Sequence, residues 1–251
     1  MISQTQNIVS FKKAQYKYGD TFMKIGGLMK LTLLDYPTKV ACTVFTPHCN
    51  FRCPFCHNAT LVTEGDELMS EEAFFEFLNS RRKILDGVCV SGGEPTINPD
   101  IREFIKRIKE LGVCVKLDTN GSNPDVLKSL IDDKLIDYVA MDIKNSPEKY
   151  ALTCGRDDML KRVCESIDIL MKGDVDFEFR TTVTAELHTD KDFHEIGNWI
   201  SGAPKYYLQT FKDSGDILSD GNSAATEGDM KRYLSIVKRY IPDARLRDID
   251  T

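Results

Sequence analysis

The sequence has 251 residues, a formal net charge of −6 and a hydrophobic fraction of 41%, which suits a globular chain with one large domain or two modest ones. No apolar run approaches the roughly 18 residues of a membrane-spanning helix, and the N-terminal residues include no signal-peptide stretch, so we expect a cytoplasmic protein that binds no membrane. The net negative charge also argues against a nucleic-acid-binding surface.

Predicted elements alternate along the chain after an N-terminal extension, residues 1–22. Residues 23–251 are predicted to form one core domain that ends in a helix, and the polar stretch 212–229 is predicted to be a loop. Strands alternating with helices predict βα units and a parallel sheet. The predicted strands are Val40–Thr46, Val88–Ser91, Val113–Thr119, Asp137–Lys144, Asp176–Val183 and Lys205–Thr210. The predicted helices span about residues 70–85, 99–111, 123–133, 159–172, 190–201 and 227–240.

Polar and apolar residues alternate within these strands. Phe177 and Phe179 share one face of their strand, whereas Glu178 and Arg180 share the other. A parallel sheet covered by helices on both faces would instead show nearly continuous hydrophobic runs. We therefore expect an α/β fold in which the strands form a partial (β/α)6 TIM-type barrel with a polar lumen; a sheet with one face in water is the alternative. The same alternation places Asp118, Asp142, Lys144 and Arg180 on polar faces.

Polar motifs follow the ends of four successive predicted strands. They read CNFRCPFC, SGGEPT, LDTNG and MDIK. In (β/α) barrels the active site is built from the loops at the carboxyl ends of the strands. The four motifs are therefore predicted to form one site.

Three cysteines, Cys49, Cys53 and Cys56, lie in a C-x3-C-x2-C loop that can bring three thiolates to one metal centre. Zinc and iron–sulfur sites generally take four ligands. The loop alone leaves three possibilities open. His57 could complete a zinc site, a distant cysteine could complete a cluster, or one iron could stay open to an exogenous chelating ligand. The other five cysteines are predicted to be small buried residues, because a disulfide framework is not expected in a reducing compartment.

The SGGEP segment indicates a ligand for the open position. Gly92 and Gly93 allow close approach of the backbone, and Pro95 biases Glu94 to an extended conformation that keeps its carbonyl available. Such a strand end offers oxygen acceptors that suit an ammonium group. An ordinary glycine turn is the alternative.

The combination of CNFRCPFC with SGGEPT resembles the radical S-adenosylmethionine (radical SAM) superfamily. The segments MKIGGLMKLTLLDYPTKVACTVFT, CHN, LDTNGSNP, YVAMDIKNSPEKY and FRTTV further resemble activating proteins of anaerobic ribonucleoside-triphosphate reductase, which are relatives of pyruvate formate-lyase activating enzyme. The resemblance runs from about Met23 to Arg247. Thr38 and His48 stand where that family usually has glycine, and TAELHT replaces the more usual VPGLHT.

The resemblance implies a role for each candidate site residue. Cys49, Cys53 and Cys56 would hold a [4Fe-4S] cluster, whose fourth iron is chelated by S-adenosyl-L-methionine as co-substrate. The backbone around Phe55 would contact adenine, and Gly92, Gly93 and Glu94 would bind the amino group. A monovalent cation would lie beside His57 and Asp118. Contact with S-adenosylmethionine or an incoming peptide is the implied role of Asp142, Lys144 and Arg180.

The implied activity is reductive cleavage of S-adenosylmethionine followed by formation of a glycyl radical on a partner enzyme. The resemblance favours anaerobic ribonucleoside-triphosphate reductase as that partner and a flavodoxin- or ferredoxin-type electron donor. No catalytic side chain beyond the cluster and S-adenosylmethionine is expected. Two alternatives stay open: a radical enzyme acting on a small molecule, similar to 7-carboxy-7-deazaguanine synthase, and a zinc- or cluster-binding protein without catalysis.

Overall fold

A computed structural model gives the structure of the protein and describes residues 23–56, 58–62, 69–213 and 215–247. The predicted extension, residues 1–22, and the candidate residue His57 lie outside the described residues. No helix within the described ranges is long and apolar enough to cross a bilayer.

Strands and helices alternate along the described chain, which makes it an α/β protein. Its strands belong to one sheet, and their order in the sheet follows their order in the chain. The strands are β1 (Gly27–Thr32), β2 (Ala41–Thr46), β3 (Gly87–Gly92), β4 (Cys114–Thr119), β5 (Tyr138–Asp142), β6 (Asp176–Val183), β7 (Tyr206–Thr210) and β8 (Ala244–Arg247). The helices are α1 (Ala59–Val62), α2 (Glu71–Arg81), α3 (Ile101–Glu110), α4 (Pro124–Asp132), α5 (Tyr150–Cys154), α6 (Leu160–Lys172), α7 (Asp190–Trp199) and α8 (Glu227–Val237).

The six predicted strands and six predicted helices are confirmed at nearly the predicted bounds. The structure adds β1, β8 and the short helices α1 and α5, which the sequence patterns did not predict. The predicted last helix is present as α8, and the strand β8 follows it as the last described element. Its sequence, ARLR, is short and rich in arginine, so its strand conformation comes from pairing with β7 rather than from local propensity.

The chain divides into two compact units. The first unit combines the residues up to Asn50 with residues 60–119 and 129–138, and the second combines residues 51–59, 120–128 and 139–251. Each unit carries part of the predicted site residues, and each is described below by itself.

In the first unit, β2, β3 and β4 pair in parallel as predicted, while β1 pairs antiparallel with β2. The register places Thr43 opposite Cys89 and Cys89 opposite Lys116. The neighbouring residues Val88 and Val115 are completely buried. The predicted alternation is thus confirmed, because Lys116 and Cys89 meet on the opposite face of the two strands.

In the second unit, β6, β7 and β8 pair in parallel, with Phe179 opposite Tyr206 and Tyr206 opposite Ala244. These three residues are buried and form an apolar row across the strands. Glu178, next in sequence to Phe179, accepts two hydrogen bonds from the guanidinium of Arg247, at 2.8 and 3.1 Å. That ion pair attaches β8 to β6 and explains how a short arginine-rich strand joins the sheet.

Thr38 lies in a tight turn whose geometry favours glycine. The Lys39 N–H donates to Tyr36 O at 3.2 Å, Pro37 occupies the second position of the turn, and Thr38 in the third position has φ +65°. This is the pattern of a type II turn, in which the third residue needs positive φ. A β-branched residue is strained there, so the departure from the family's glycine has a cost of about 1–2 kcal/mol.

We predict that Thr38→Gly stabilises the protein. Relief of backbone strain exceeds the extra conformational entropy that glycine gives the unfolded chain, so we expect a gain of about 1 kcal/mol and a rise in Tm of about 2–4 °C. Thermal unfolding followed by circular dichroism measures it.

Gly112→Ala is the matched control for that prediction. Gly112 has φ +76° and a Cβ there would meet no atom within 4 Å, so the substitution tests backbone strain alone and should destabilise the protein. A Thr38→Gly variant no more stable than wild type would contradict the strain at this turn.

Candidate functional site

The SGGEP segment follows β3 in the first unit and lies directly against the end of β2. The Gly93 N–H donates to Thr46 O and the Glu94 N–H donates to His48 O, each at 2.8 Å. A Cβ on Gly92 would overlap the backbone of Thr46, and a Cβ on Gly93 would overlap the carbonyl of His48. The two glycines are therefore required for backbone-to-backbone contact with the segment that leads into the cysteine motif.

His48 adopts a left-handed conformation at φ +67° immediately before Cys49. Its carbonyl is the acceptor for the Glu94 N–H, so the turn at His48 joins the cysteine motif to the SGGEP segment. Histidine tolerates this region better than β-branched residues do. The departure from the family's glycine at position 48 thus retains a glycine-like backbone.

Glu94 is completely buried, and its carboxylate is held by three donors. Oε1 accepts hydrogen bonds from the backbone N–H of Thr96 at 3.1 Å and from the hydroxyls of Thr96 and Thr119. The backbone of Glu94 is extended, as predicted, with φ −129° and ψ 107°. Its carbonyl is not left available, however, because it accepts the Ile97 N–H of a short 3-10 helix, Pro95–Ile97, at 3.4 Å.

Asp118 lies on β4 in the first unit, on the polar face that the alternation predicted. Ser91 Oγ donates to its Oδ2 at 3.0 Å, and the ammonium of Lys116 pairs with its Oδ1. Lys116 is almost fully buried, with 1% of its side chain exposed. Sequence reasoning placed Lys116 on this face but gave it no role.

The second part of the cysteine loop, residues 51–59, belongs to the second unit and is held by backbone hydrogen bonds. Arg52 N–H donates to Cys154 O at 2.8 Å, and Cys56 N–H donates to Cys53 O at 3.1 Å within the loop. The carbonyls of Cys56 and Pro54 accept the N–H groups of Leu218 and Ser219, each at 3.1 Å. The polar stretch 212–229, predicted only as a loop, therefore supports the cysteine motif. No side-chain pattern could indicate this, because the contacts are between backbones.

Gly155, at the end of α5, permits the contact with Arg52. It has φ +70°, and a Cβ there would lie 2.9 Å from Arg52 O. Phe51 packs edge-on against Tyr150 of the same helix, with ring centroids 6.5 Å apart. Phe55, predicted as an adenine contact through its backbone, is buried.

The donor set suits an iron–sulfur cluster. Cys49, Cys53 and Cys56 are all free thiols rather than disulfides, and thiolates are the usual ligands of such clusters. Within the ranges that the structure describes, no group of three or more Cys, His, Asp and Glu side chains is arranged as a metal site. The assignment of an iron–sulfur cluster to these three cysteines therefore rests on the chemistry of their thiols, on their spacing and on the hydrogen bonds that fix the loop.

Asp142, Lys144 and Arg180 form one charged cluster in the second unit. Arg180 Nε donates to Asp142 Oδ1 at 3.0 Å, and Lys144 Nζ donates to Asp142 Oδ2 at 2.9 Å. The three predicted site residues are thus brought together on one face. Their side chains are partly exposed, at 28, 16 and 13%, respectively.

This cluster holds its members in their charged forms. Burial by itself would raise the pKa of Asp142, but Arg180 and Lys144 outweigh it and hold that pKa well below its usual range. Burial would likewise lower the pKa of Lys144, but Asp142 and, to a smaller extent, Cys53 raise it. Lys144 therefore remains a cation and contributes positive potential near the Cys53 thiol.

His188 supports this cluster and was missed by sequence reasoning. Its Nδ1 accepts the Thr184 N–H at 3.2 Å, so that Nε2 carries the proton and donates to Lys144 O at 3.0 Å. Burial lowers the pKa of His188, which keeps the ring neutral. The histidine of the TAELHT segment thus fixes the backbone that carries Lys144. The available signal was the LHT tripeptide in a family motif, which pattern reasoning could not convert into a contact.

Comparison with known proteins identifies the family. The model of the Radical SAM superfamily matches residues 43–200. A Methanocaldococcus jannaschii protein named "Putative glycyl-radical enzyme activating enzyme" is 33% identical over 233 residues, which cover 90% of this chain and 96% of that protein. The pyruvate formate-lyase-activating enzyme of Clostridium pasteurianum is 30% identical over 152 residues, covering 56% of this chain and 63% of the relative.

Solved structures agree on the fold. The crystal structure of Streptococcus suis SuiB matches with a TM-score of 0.63 at 14% identity and covers 80% of this chain and 47% of that one. At this identity the match supports the fold alone. The predicted cofactors, a [4Fe-4S] cluster and S-adenosyl-L-methionine, are those of the matched family. The chain is an enzyme that belongs to the radical SAM superfamily, and it is homologous to glycyl-radical enzyme activating enzymes.

Proposed function

We propose that the protein generates a glycyl radical on a partner enzyme, and that this partner is an anaerobic ribonucleoside-triphosphate reductase. The likeness to the Methanocaldococcus jannaschii activating enzyme carries the first part, because it extends over nearly the full length of both chains. The proposal that the partner is this reductase rests on the segments that resemble reductase activating proteins. These are the segments around the cysteine motif and the DIK motif at residues 142–144. Residues 23–251 would act as one catalytic domain, with a flavodoxin- or ferredoxin-type protein as electron donor.

Cys49, Cys53 and Cys56 would hold the cluster, and S-adenosylmethionine would bind its fourth iron. With one electron from the donor protein, these groups would supply a 5′-deoxyadenosyl radical with release of methionine, and this radical would take a hydrogen atom from a glycine Cα to become 5′-deoxyadenosine. The chain's own part is to position them. Backbone hydrogen bonds to Arg52, Pro54 and Cys56 support a fixed geometry for the loop.

The SGGEP segment would receive the amino group of S-adenosylmethionine. The carboxylate of Glu94 is oriented by Thr96 and Thr119 before any ligand arrives, so that binding would not have to order it. The backbone contact between Gly93 and His48 ties this acceptor to the cysteine motif. The hydrogen-bonded glutamate distinguishes this segment from an ordinary glycine turn, which would not need a buried carboxylate.

Lys144 and Arg180 would bind an anionic group, either the carboxylate of S-adenosylmethionine or part of the incoming peptide. Asp142 lies between their charged groups and fixes both side chains. Bidentate and charge-assisted hydrogen bonds of this type orient carboxylates well. The positive charge near Cys53 would also favour electron entry into a cluster at that loop.

We predict that Cys53→Ala abolishes cleavage of S-adenosylmethionine. Loss of a cluster ligand should leave fewer than about four irons per chain after anaerobic reconstitution and remove absorbance near about 400 nm. The measurement is 5′-deoxyadenosine formed after reduction with dithionite, beside iron content and absorbance.

Cys164→Ala is the matched control for this loss. Cys164 lies on α6 and outside the motif, so its removal should leave iron content and cleavage at wild-type values. Retained cleavage in Cys53→Ala, or tight zinc with no cleavage in the wild type, would contradict the cluster assignment.

The partner is tested by electron paramagnetic resonance on the reduced pair. We expect a doublet centred on glycine when the holoprotein, S-adenosylmethionine and the reductase are combined. Replacing the radical-bearing glycine of the reductase with alanine is the control and should remove the signal. Turnover of a small molecule with no protein doublet would favour the alternative similar to 7-carboxy-7-deazaguanine synthase.

We predict that Lys144→Met weakens binding of S-adenosylmethionine and makes the cluster harder to reduce. Removing a cation near Cys53 should lower the cluster midpoint potential by about 60 mV, which equals about 1.4 kcal/mol for one electron. A redox titration followed by electron paramagnetic resonance measures the potential, and calorimetry measures the affinity.

Lys161→Met provides the comparison, because Lys161 is exposed on α6 and pairs only at 4.0 Å with Glu165. Equal potentials and affinities in both variants would rule out the assigned role of Lys144.

A further inference from the structure

Lys116 and Asp118 form a nearly buried ion pair on the polar face of β4. The Lys116 ammonium pairs with Asp118 Oδ1 and lies 3.7 Å from Cys89 Sγ of the neighbouring strand. Ser91 Oγ donates to Asp118 Oδ2 at 3.0 Å. The exposed fractions are 1% for the lysine side chain and 15% for the aspartate side chain. The carboxylate therefore has a positive charge on one oxygen and a hydroxyl donor on the other.

A carboxylate that has lost most of its water needs compensation by hydrogen-bond donors, by positive charge or by both, and Asp118 has a positive charge beside it. A protein can supply that charge in two ways: by a bound metal ion, which exchanges with solvent, or by a side chain, which does not. Lys116 has so little exposure that its ammonium cannot recover hydration by turning into solvent. It therefore stays beside the carboxylate in every state in which the sheet is folded.

A second cation at the same carboxylate would meet this ammonium at short range. Two like charges at such short range repel strongly at the effective dielectric constant of a protein interior. The monovalent cation that the sequence resemblance implied beside Asp118 is therefore disfavoured by the residues present. The hydroxyl of Ser91 also donates to Oδ2, so each carboxylate oxygen already has a donor from the chain.

We propose that Lys116 is the permanent counter-ion of Asp118 and that the protein binds no monovalent metal ion at this carboxylate. The chain supplies internally the charge that an exchangeable ion would otherwise bring. Binding of S-adenosylmethionine is then independent of potassium and sodium. The proposal concerns the charge at Asp118 and holds whichever radical reaction the site performs.

The wild-type holoprotein gives the first test. Its Tm and its affinity for S-adenosylmethionine are measured in potassium chloride, sodium chloride and choline chloride at equal ionic strength. We expect the three salts to give the same values. A saturable increase in either quantity with potassium or sodium would overturn the proposal.

Lys116→Met gives the second test, because it removes the ammonium and keeps an apolar side chain of similar length. The repulsion between that ammonium and a second cation is then gone, and we expect potassium or sodium to raise the Tm by about 4 °C over choline as the ion takes the vacated position. The double variant Lys116→Met/Asp118→Asn removes the need for compensation and should respond equally to all three salts. A Lys116→Met protein that ignores the cation would contradict the charge argument.

Asp118→Asn keeps the proposal testable if Lys116→Met does not fold. This variant leaves a buried ammonium without its carboxylate, so its Tm should fall below that of the wild type and of the double variant. An unchanged Tm in Asp118→Asn would show that the pair is not coupled. Cleavage of S-adenosylmethionine is recorded in parallel, and its loss with salt-independent Tm values would count against the proposed function rather than against the counter-ion.

Discussion

Charge compensation on the polar faces of the strands is the constraint on which the candidate site depends. The fully buried Glu178 pairs with Arg247, and Lys116 with Asp118. Asp142 joins Lys144 and Arg180. Buried ion pairs are often no more stabilising than well-packed apolar residues, whereas removing one partner is costly. Their presence on these faces therefore indicates a requirement for polarity rather than for stability.

Backbone contacts give that polar environment a fixed frame. In the first unit, the carbonyl of His48 receives the Glu94 N–H, and Gly93 has no side chain that would separate them. In the second unit, Leu218 and Ser219 hold the cysteine loop by their N–H groups. A site for a reactive cofactor needs rigid positioning because small displacements reduce rates strongly. Glycine at 93 and a left-handed residue at 48 are therefore structural requirements of the site.

Features that depend on local sequence pattern could be predicted from the sequence. The period of two placed Asp142, Lys144 and Arg180 on one face, and the structure joins them through hydrogen bonds. Alternation of strands and helices predicted the parallel pairing of β2 to β4 and of β6 to β8. The residues of the cysteine loop and the SGGEP segment were recognised as motifs, although Glu94 uses its carbonyl differently from the prediction.

Features set by tertiary contact were not predictable in the same way. Strand β8 depends on pairing with β7, and the stretch after β7 reads as a polar loop whose contacts with Pro54 and Cys56, made through its N–H groups, have no sequence signal. His188 lies 44 positions from Lys144 in the chain, and only the fold brings its ring to that carbonyl. In each case the deciding interaction involves backbone atoms, which carry no sequence signal.

Lys116, in β4, and Lys144, just after β5, differ in what they can do for a ligand. Lys116 is 1% exposed and is committed to Asp118, so its charge acts as part of the scaffold. Lys144 is 16% exposed, and it and Arg180 both pair with the carboxylate of Asp142. Its partial exposure is what an anionic ligand would need. A charge that stays paired inside the protein sets the local potential without reorganisation, whereas a partly exposed charge can exchange water for ligand. Exposure therefore separates the cation that is proposed to bind a ligand from the structural one, although the residue type is the same for both.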